Sequence, residues 1–195
     1  MPQEKHFHRR NLPHLYYNEG IYFVTYRLYD SIHPAELEKL QKMLNAKTDE
    51  EKKKFFKKYD ALLDQPYNNV KYLLVSEIAE ICKNSILHFD GNDIEVMCFV
   101  IMPNHIHLIF ELLNKSKLVG DILGSIKKYS AREANKYLNK EGKFWQAESF
   151  DRLVRDEIEL YNIIKYVLLN PVSAGLVEDY KDWPHTYCRK EYLVL

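Results

Sequence analysis

The sequence has 195 residues, of which 46% are hydrophobic and 13% are aromatic, and its 28 Lys and Arg residues balance 28 Asp and Glu residues. This length suits one ordinary domain, since domains mostly contain about 100–200 residues, and the composition excludes a wholly disordered or fibrous chain. The zero formal charge excludes a uniformly basic nucleic-acid coat but leaves a local basic face open.

The first half of the chain is predicted to contain an N-terminal arm, one strand and three helices. Residues 1–20 are polar and are interpreted as an arm that leads into the fold. Residues 21–28 are rich in β-branched and aromatic side chains, which predicts a buried strand. Helices are predicted to begin at Pro34, at the Thr48 capping-box pattern and near Ser76, because apolar residues then recur at helical spacing.

The second half is predicted to contain two strands and two helices. In chain order these are strands Ile94–Ile101 and His105–Leu112, a helix over about 119–138, a short segment around Phe144-Trp145-Gln146, and a helix over about 156–169. The Asn170-Pro171 pair is expected to end the last helix, because a proline disfavours helical geometry in the residue before it. No repeat or linker divides the chain, so we predict one domain of mixed α and β over residues 1–195.

The cysteines and the hydrophobic pattern favour a cytoplasmic protein. Cys82, Cys98 and Cys188 are odd in number, widely spaced and never arranged as Cys-x-x-Cys, which favours a reducing compartment over a disulfide framework or a zinc ribbon. No stretch reaches the roughly 18 uncharged apolar residues of a membrane span, and the first residues lack the apolar core of a secretory signal. We therefore expect no membrane partner.

The sharpest chemical feature is the pair His105 and His107 on the second strand of the predicted strand pair. Alternate residues of a strand share a face, so both imidazoles point the same way, with Cα atoms about 6.6 Å apart. Two imidazoles at this spacing can hold one divalent ion and leave other coordination positions for an oxygen ligand, water or substrate. The alternative is a pair of partly exposed histidines at a sheet edge.

Eight short segments carry a resemblance to a known family, and they follow one another over about residues 7–187. In order they are Leu12-Pro13-His14, Tyr22-Phe23-Val24-Thr25-Tyr26-Arg27-Leu28, His88-Phe89-Asp90-Gly91, Met102-Pro103-Asn104-His105-Ile106-His107, Lys127-Lys128-Tyr129-Ser130-Ala131-Arg132-Glu133-Ala134-Asn135, Phe144-Trp145-Gln146-Ala147-Glu148-Ser149-Phe150-Asp151-Arg152, Asn170-Pro171-Val172-Ser173-Ala174-Gly175-Leu176-Val177 and Trp183-Pro184. This ordered set resembles the REP-associated tyrosine transposases, which belong to the single-tyrosine branch of the HUH nucleases.

The resemblance implies a fold and an activity. The implied fold is α+β with a ferredoxin-like core, an antiparallel sheet with helices packed on one face, and extra helices inserted and C-terminal. The implied activity is binding of single-stranded or hairpin DNA and metal-dependent strand cleavage and joining, in which a tyrosine attacks a phosphodiester and leaves a 5′-phosphotyrosine link. His105 and His107 match the family's metal ligands, and the expected ion is Mg²⁺ or Mn²⁺. Members of the superfamily often work as dimers, so a homodimer stays open.

The nucleophile does not follow directly from the resemblance. The family tyrosine is expected four or five residues after Trp145, where this chain has Ser149 and Phe150, neither of which offers a phenolic oxygen. We predict Tyr129 as a substitute and Glu133, one helical turn later on the same face, as a third metal ligand. The alternatives are another tyrosine, or a protein that has lost cleavage.

Basic residues and one tryptophan are predicted to contact DNA. Lysines and arginines can position phosphates, and an aromatic ring can stack on an unpaired base, which is worth about 1–3 kcal/mol. The alternatives are a solvated helix face for the charges and a core anchor for the tryptophan. The predicted set is Arg9, Arg10, Lys127, Lys128, Arg132, Lys136, Trp145, Arg152 and Arg155.

Three functions stay open from the sequence. The first is a transposase-like DNA nuclease and strand transferase, and the second is a hairpin-binding protein of the same fold without cleavage. The third is an unrelated metal-dependent phosphoesterase that uses water as its nucleophile. A covalent protein–DNA adduct distinguishes the first function from the other two.

Overall fold

The computed structural model describes residues 4–9, 13–17, 19–43, 49–65 and 67–193. The strands are β1 (Glu4–Arg9), β2 (Pro13–Tyr17), β3 (Gly20–Leu28), β4 (Ile94–Ile101), β5 (His105–Leu112), β6 (Trp145–Leu153) and β7 (Thr186–Cys188). The helices are α1 (Pro34–Met43), α2 (Asp49–Leu63), α3 (Ser76–Leu87), α4 (Val119–Tyr137) and α5 (Glu157–Ser173). The two strands predicted around the histidine pair match β4 and β5 residue for residue.

The region predicted as an N-terminal arm contains a separate pair of strands. β1 and β2 are antiparallel, with Glu4 opposite Tyr17 and Arg9 opposite Pro13, and they are not part of the larger sheet. The Arg9 side chain and the whole of Arg10, both predicted to contact DNA, lie outside the described residues.

The main sheet has five antiparallel strands in the order β6-β3-β5-β4-β7. Because α3 connects β3 to β4 and α4 connects β5 to β6, the core follows the β-α-β-β-α-β order of a ferredoxin-like fold. β7 extends this core beside β4. The predicted α+β class and ferredoxin-like core are therefore confirmed.

Side chains alternate along the strands and give the sheet two faces. On the first face, Ile106, Leu108 and Phe110 of β5 pack in one apolar cluster with the inward stripes of α3 and α4. These stripes are Ile78, Ala79, Cys82 and Ile86 on α3, and Val119, Ile122, Leu123 and Ile126 on α4. The two helices of the ferredoxin-like core thus share one face, as the resemblance implies.

The second face of the sheet is covered by the additional helices. Phe23 of β3 and Ile109 of β5 form a second apolar cluster with Ile163, Ile164, Val167 and Leu168 of α5. The inserted helix α2 packs here too, since its Phe56 ring lies 5.4 Å from the Phe23 ring and 4.8 Å from the Phe150 ring. None of the helices within the described ranges is both long and apolar enough to cross a membrane.

The end of α5 differs from its prediction. The helix runs through Asn170 and Pro171 and ends at Ser173. Pro171 is buried and lacks the N–H that would donate to the Val167 carbonyl, but only two helical residues follow it, so the loss is confined to the end of the helix. Gly175, which has a φ of +68°, follows the C-cap Ala174 and turns the chain out of the helix, and the Leu176 N–H donates to the Pro171 carbonyl at 2.9 Å.

The segment around Phe144-Trp145-Gln146 is longer than predicted, because it opens the nine-residue strand β6. β6 is an edge strand that pairs with β3 on one side only. Edge strands carry polar and charged residues at positions where a central strand would be apolar, so the alternation that signals a strand is weak here.

We expect the Gly20→Ala variant to lower the free energy of unfolding by about 1–2 kcal/mol, since Gly20 has a φ of +118° that alanine adopts only with strain. An added Cβ would also lie 2.7 Å from the Leu153 Cδ1 atom. Urea unfolding measures the change. Gly124→Ala is the control, because its Cβ would meet no atom within 4 Å and a helical alanine gains about 0.5–1 kcal/mol. Equal effects of the two substitutions would contradict this account.

Candidate active site

β5 presents two histidine rings to the second face of the sheet. The Nε2 atoms of His105 and His107 lie 3.1 Å apart, and the two side chains are 1% and 0% exposed. β5 is a central strand, so the rings are enclosed rather than placed at a sheet edge. The strand period therefore aims both imidazoles at one point, as the sequence predicts.

The second nitrogen of each ring is held by a neighbouring side chain. Asn104 donates through Nδ2 to the Leu63 carbonyl at 2.8 Å, so its Oδ1 atom accepts from His105 Nδ1 at 2.7 Å. This fixes the proton of His105 on Nδ1 and leaves a lone pair on Nε2. Thr25, directly opposite His107 on β3, places its hydroxyl 2.7 Å from His107 Nδ1.

The Thr25 hydroxyl suits both protonation patterns of the pair. If His107 Nε2 carries the proton, it donates to His105 Nε2, and Thr25 donates to His107 Nδ1. If both Nε2 atoms are to bind a cation, the His107 proton moves to Nδ1, and the same hydroxyl accepts a hydrogen bond from the Nδ1–H group. A hydroxyl both donates and accepts, which few other side chains in this position could do.

Asp60 of α2 completes a set of three metal-ligating side chains. Its Oδ1 atom lies 3.3 Å from His107 Nε2, is buried, and has no aligned hydrogen-bond donor. The ligand atoms of Asp60, His105 and His107 all lie within 4.8 Å of one another. Two ligands about 2.1 Å from an ion and at right angles are about 3.0 Å apart, so the paired Nε2 atoms suit one divalent ion.

The charges in the site favour metal binding. Burial, followed by the neighbouring His107, lowers the pKa of His105 well below its ordinary value, so this imidazole is in the neutral form that binds metals. Burial alone would raise the pKa of Asp60, but His107, His105 and the Tyr166 hydroxyl together lower it. Asp60 is therefore a carboxylate at neutral pH.

A tyrosine on α5 lies against this set. The Tyr166 hydroxyl is 3.3 Å from His107 Nε2 and accepts from Asn170 Nδ2 at 3.1 Å. Asn170 follows one helical turn after Tyr166, so the two side chains share a face of α5. Burial, and then the negative charges of Asp60 and Asp64, raise the pKa of Tyr166.

α4 carries Tyr129 and Glu133 on the other side of the sheet. α4 packs on the first face through Ile126, whereas the histidines lie on the second face. Tyr129 is 49% exposed, with Arg132 over its ring, and Glu133 pairs with Arg132 at 2.7 Å. The structure thus does not bring Tyr129 and Glu133 to the histidines. A shared helix face, which is the basis of that prediction, does not reveal which side of the sheet the helix covers.

Two predicted DNA contacts are engaged inside the protein. Trp145 is 7% exposed and donates through Nε1 to the Ser130 hydroxyl at 2.9 Å, so it anchors β6 to α4 and offers no free ring to a base. Lys127 donates to the Ala147 carbonyl at 2.9 Å and to the Ser149 hydroxyl at 3.2 Å. Burial lowers the pKa of Lys127 to about 8.

The other predicted basic residues differ in their surroundings. Arg152 and Arg155 both pair with Glu159, at 2.7 and 3.4 Å, which reduces the charge that they offer to DNA. Lys128 and Lys136 are exposed on α4.

The positions where the family tyrosine is expected have structural roles. Ser149 accepts from Lys127 on the first face of the sheet. Phe150 points to the second face and packs against the Phe55, Phe56 and Tyr59 rings of α2. Neither residue offers a phenolic hydroxyl, and Tyr166 supplies one next to His107.

Asp60, Tyr166 and Asn170 are not among the residues predicted from the sequence. Asp60 gives a visible signal, since it is an acidic residue on the otherwise apolar stripe of α2, between Phe56 and Leu63. Tyr166 and Asn170 form a polar pair one turn apart on an apolar helix, and each continues the buried face of α5. Tyr166 and Asn170 are far from the histidines in sequence, so the sequence alone does not indicate that they are close in space.

Two known proteins are similar to this chain. A protein of Haemophilus influenzae, with the curated and provisional name of REP-associated tyrosine transposase, is 27% identical over 121 residues, which cover 57% of this chain and 67% of the relative. A solved structure of a REP-associated tyrosine transposase bound to a REP hairpin superposes with a TM-score of 0.61 at 17% identity, covering 93% of this chain and 81% of the other. At this identity the superposition establishes a common fold.

The family follows from the sequence itself. The sequence model of the IS200-like transposases matches residues 66–168, just over half of the chain. The chain therefore belongs to the IS200-like transposase family, and the resemblance found in its motifs is confirmed. The matched range includes His105, His107 and Tyr166, whereas Asp60 lies before it.

We expect the His105→Ala, His107→Ala double variant to lose Mn²⁺ binding, because both nitrogen ligands are removed. Asp60→Asn should weaken binding at least tenfold, and Thr25→Val by about 10–100-fold, since its hydroxyl orients His107. Isothermal titration calorimetry with Mn²⁺ measures these affinities. His88→Ala, at a histidine outside the site, is the control. Unchanged affinity in the double variant would refute the site.

We also expect the metal-free protein to lose stability as the pH falls through about 6.5. The folded state keeps His105 neutral because its pKa is lowered, whereas the unfolded chain takes up a proton near pH 6.5. One such proton reduces the free energy of unfolding by up to about 1.4 kcal/mol per pH unit. Urea unfolding with a chelator from pH 7.5 to 5.5 measures the slope. His105→Gln should flatten it, and an equally steep slope in this variant would contradict the assignment.

Proposed function

We propose that this protein binds single-stranded or hairpin DNA and cleaves and joins DNA strands, with Tyr166 as the nucleophile. In this proposal Asp60, His105 and His107 hold one divalent ion, Mg²⁺ or Mn²⁺. The observation that carries the proposal is the Tyr166 hydroxyl 3.3 Å from His107 Nε2, at the edge of the metal-ligating set. A cytoplasmic location fits the three free cysteines.

The hairpin as a partner is supported by the relative that was solved with a REP hairpin and by a basic and aromatic band on α4. In this band, Lys128 and Lys136 are exposed, and Tyr129 and Tyr137 are 49% and 51% exposed. Lysines neutralise phosphates and exposed rings stack on unpaired bases. Since this band and Tyr166 lie on opposite faces of the sheet, a bound strand would pass around the β6 edge to reach the nucleophile.

The proposed chemical step is the one that the family resemblance implies, with Tyr166 as the attacking tyrosine. Its Oη atom attacks the phosphorus of a DNA phosphodiester, the P–Oη bond forms, and the bond from phosphorus to the 3′ oxygen breaks. The products are a 5′-phosphotyrosine link and a free 3′-hydroxyl that has taken up a proton. Attack of a 3′-hydroxyl on the same phosphorus reverses the step, so strand joining needs no nucleotide cofactor.

The residues beside Tyr166 prepare it for attack. Asn170 Nδ2 donates to the Oη atom at 3.1 Å, which directs the phenol O–H away from Asn170 and stabilises the phenolate as it forms. The Asp60 carboxylate is close enough to raise the pKa of Tyr166, and in this proposal it accepts the phenol proton. A cation bound by the three ligands would polarise the phosphoryl oxygen and offset the negative charge that raises the pKa of Tyr166.

Access to the site requires a movement of α2. His105 and His107 are 1% and 0% exposed because Phe56 and Asp60 of α2 lie over them. A small cleft of about 60 Å³ opens beside the end of α2, and Asp64, Lys71 and His105 are among its lining residues. We propose that the scissile phosphate enters through this cleft as α2 shifts outward.

The test is formation of a covalent adduct between the protein and hairpin oligonucleotides taken from the DNA flanking its gene, in Mg²⁺ or Mn²⁺. We expect an adduct on denaturing gels for the native protein and at least a thousandfold slower formation for Tyr166→Phe, since phenylalanine lacks the attacking oxygen. Tyr129→Phe is the matched control and should form the adduct normally.

The other outcomes each select a different function. An adduct that persists in Tyr166→Phe would overturn the nucleophile. Metal-dependent cleavage without any adduct would indicate a phosphoesterase that uses water. Hairpin binding without cleavage in the native protein would indicate a binding protein of the same fold.

The salt dependence of binding tests the band on α4. The Lys128→Ala, Lys136→Ala variant should reduce the log-log salt slope for single-stranded DNA by about 1.4, at about 0.7 for each phosphate that a lysine no longer neutralises. Fluorescence anisotropy between low and moderate salt measures the slope. A variant with alanine at Lys83 and Lys181, exposed or half-buried lysines outside α4, should keep the native slope. Identical slopes in all three proteins would mean that the α4 lysines do not touch DNA.

A further inference from the structure

Cys98 on β4 and Cys188 on β7 face each other across antiparallel strands. The Arg189 N–H donates to the Met97 carbonyl at 2.9 Å, and the Ile101 N–H donates to the His185 carbonyl at 2.9 Å. Hydrogen-bonded and non-hydrogen-bonded residue pairs alternate along an antiparallel ladder. Because Met97 and Arg189 form a hydrogen-bonded pair, the next pair, Cys98 and Cys188, is non-hydrogen-bonded. In such pairs the Cα atoms lie about 4.5 Å apart and the side chains approach closely.

This placement matches the geometry that a disulfide needs. Disulfide-linked residues have Cα atoms about 4.4–6.8 Å apart, and the expected separation falls in that range. Both sulfurs are free thiols, and both side chains pack in the apolar cluster on the second face. The two thiols are close enough for each to shift the pKa of the other.

We propose that Cys98 and Cys188 are a redox modification site. A low-molecular-weight disulfide such as oxidised glutathione oxidises the two thiols, and they form a reversible Cys98–Cys188 disulfide. Nothing in the DNA chemistry of Tyr166 uses these residues, so the proposal stands apart from the proposed function. Intracellular disulfides of this kind are mostly transient and respond to the redox state.

The exchange proceeds in two balanced steps. The Cys188 thiolate attacks one sulfur of oxidised glutathione, which forms a mixed disulfide and releases one glutathione thiolate. Cys98 then attacks the Cys188 sulfur, which forms the Cys98–Cys188 bond and releases the second glutathione. The protein loses two electrons and two protons, and two reduced glutathione molecules carry them.

The surroundings assign the attacking sulfur to Cys188. Cys188 is half-buried on the edge strand β7, whereas Cys98 is fully buried. The hydrogen bond from Cys98 lowers the pKa of Cys188, and the same contact, with burial, raises the pKa of Cys98. The more exposed sulfur is therefore the better thiolate, and the buried sulfur resolves the mixed disulfide.

The disulfide would restrain the part of the chain that carries the candidate active site. The segment between Cys98 and Cys188 includes His105, His107 and Tyr166, and the ladder between β7 and β4 has three residue pairs. Closing a loop of this length removes entropy from the unfolded chain, so the oxidised protein should unfold at a temperature higher by up to about 10 °C.

The experiment incubates the folded full chain with oxidised glutathione and maps its disulfides by mass spectrometry without reduction. We expect a Cys98–Cys188 linked peptide, an intact mass lower by two hydrogens, and full reversal by excess reduced glutathione. Cys98→Ala should stop at a mixed disulfide on Cys188. Cys82→Ala is the matched control and should oxidise as the native chain does, because Cys82 is buried on the opposite face.

Three results would overturn the proposal. They are free thiols at both positions after incubation, a link that forms only in denaturant, or a link that uses Cys82. Each of these results is measured on the native protein, so the proposal can be tested even if a cysteine variant does not fold. A melting temperature that does not change between the oxidised and reduced native protein would overturn the proposed restraint.

Discussion

The Nε2 atoms of His105 and His107 lie 3.1 Å apart in a buried site, while their Nδ1 atoms are already engaged by Asn104 and Thr25. Two lone pairs at this distance repel unless a proton or a cation lies between them, so the pair has to share one or the other. Asn104 connects this requirement to the end of α2 through the Leu63 carbonyl, and Thr25 connects it to β3. The position of the inserted helix and the register of the central strands are thus part of the same hydrogen-bonded unit as the histidines.

The two faces of the sheet differ in function because alternate side chains of each strand lie on opposite faces. Residues of one parity on β5 fill the apolar core under α3 and α4, which gives the sheet its stability. Residues of the other parity meet α5 and α2, where polar groups are concentrated between apolar rings. The aromatic ring of Phe56 packs against Phe23, Phe150 and Tyr166 and also contacts His107, which is fully buried. Around these buried histidines the effective dielectric constant is low, so each charge acts strongly on its neighbours.

Much of the fold could be predicted from the sequence, because helix and strand periods are local properties. The direction of His105 and His107 followed from the strand period alone. The strand β6 was hidden by its polar edge character, and the end of α5 was misplaced because Pro171 is tolerated near the last turn. Asp60 is visible in the sequence as a charge on an apolar helix stripe, but that Asp60 and Tyr166 meet the histidines could not be predicted, since these contacts arise only through tertiary packing. That Tyr129 lies on the face opposite the histidines could not be predicted for the same reason, because no local pattern states which face of a sheet a helix will cover.

The central claim is that one cation site and one tyrosine are assembled on the second face from β5, α2 and α5. X-ray diffraction at the manganese absorption edge, from crystals of the native protein grown with Mn²⁺, tests it most directly. The account predicts an anomalous difference peak bounded by His105 Nε2, His107 Nε2 and an Asp60 carboxylate oxygen, with the Tyr166 hydroxyl beside it. A peak at other side chains, with these three residues left without an ion, would contradict the account.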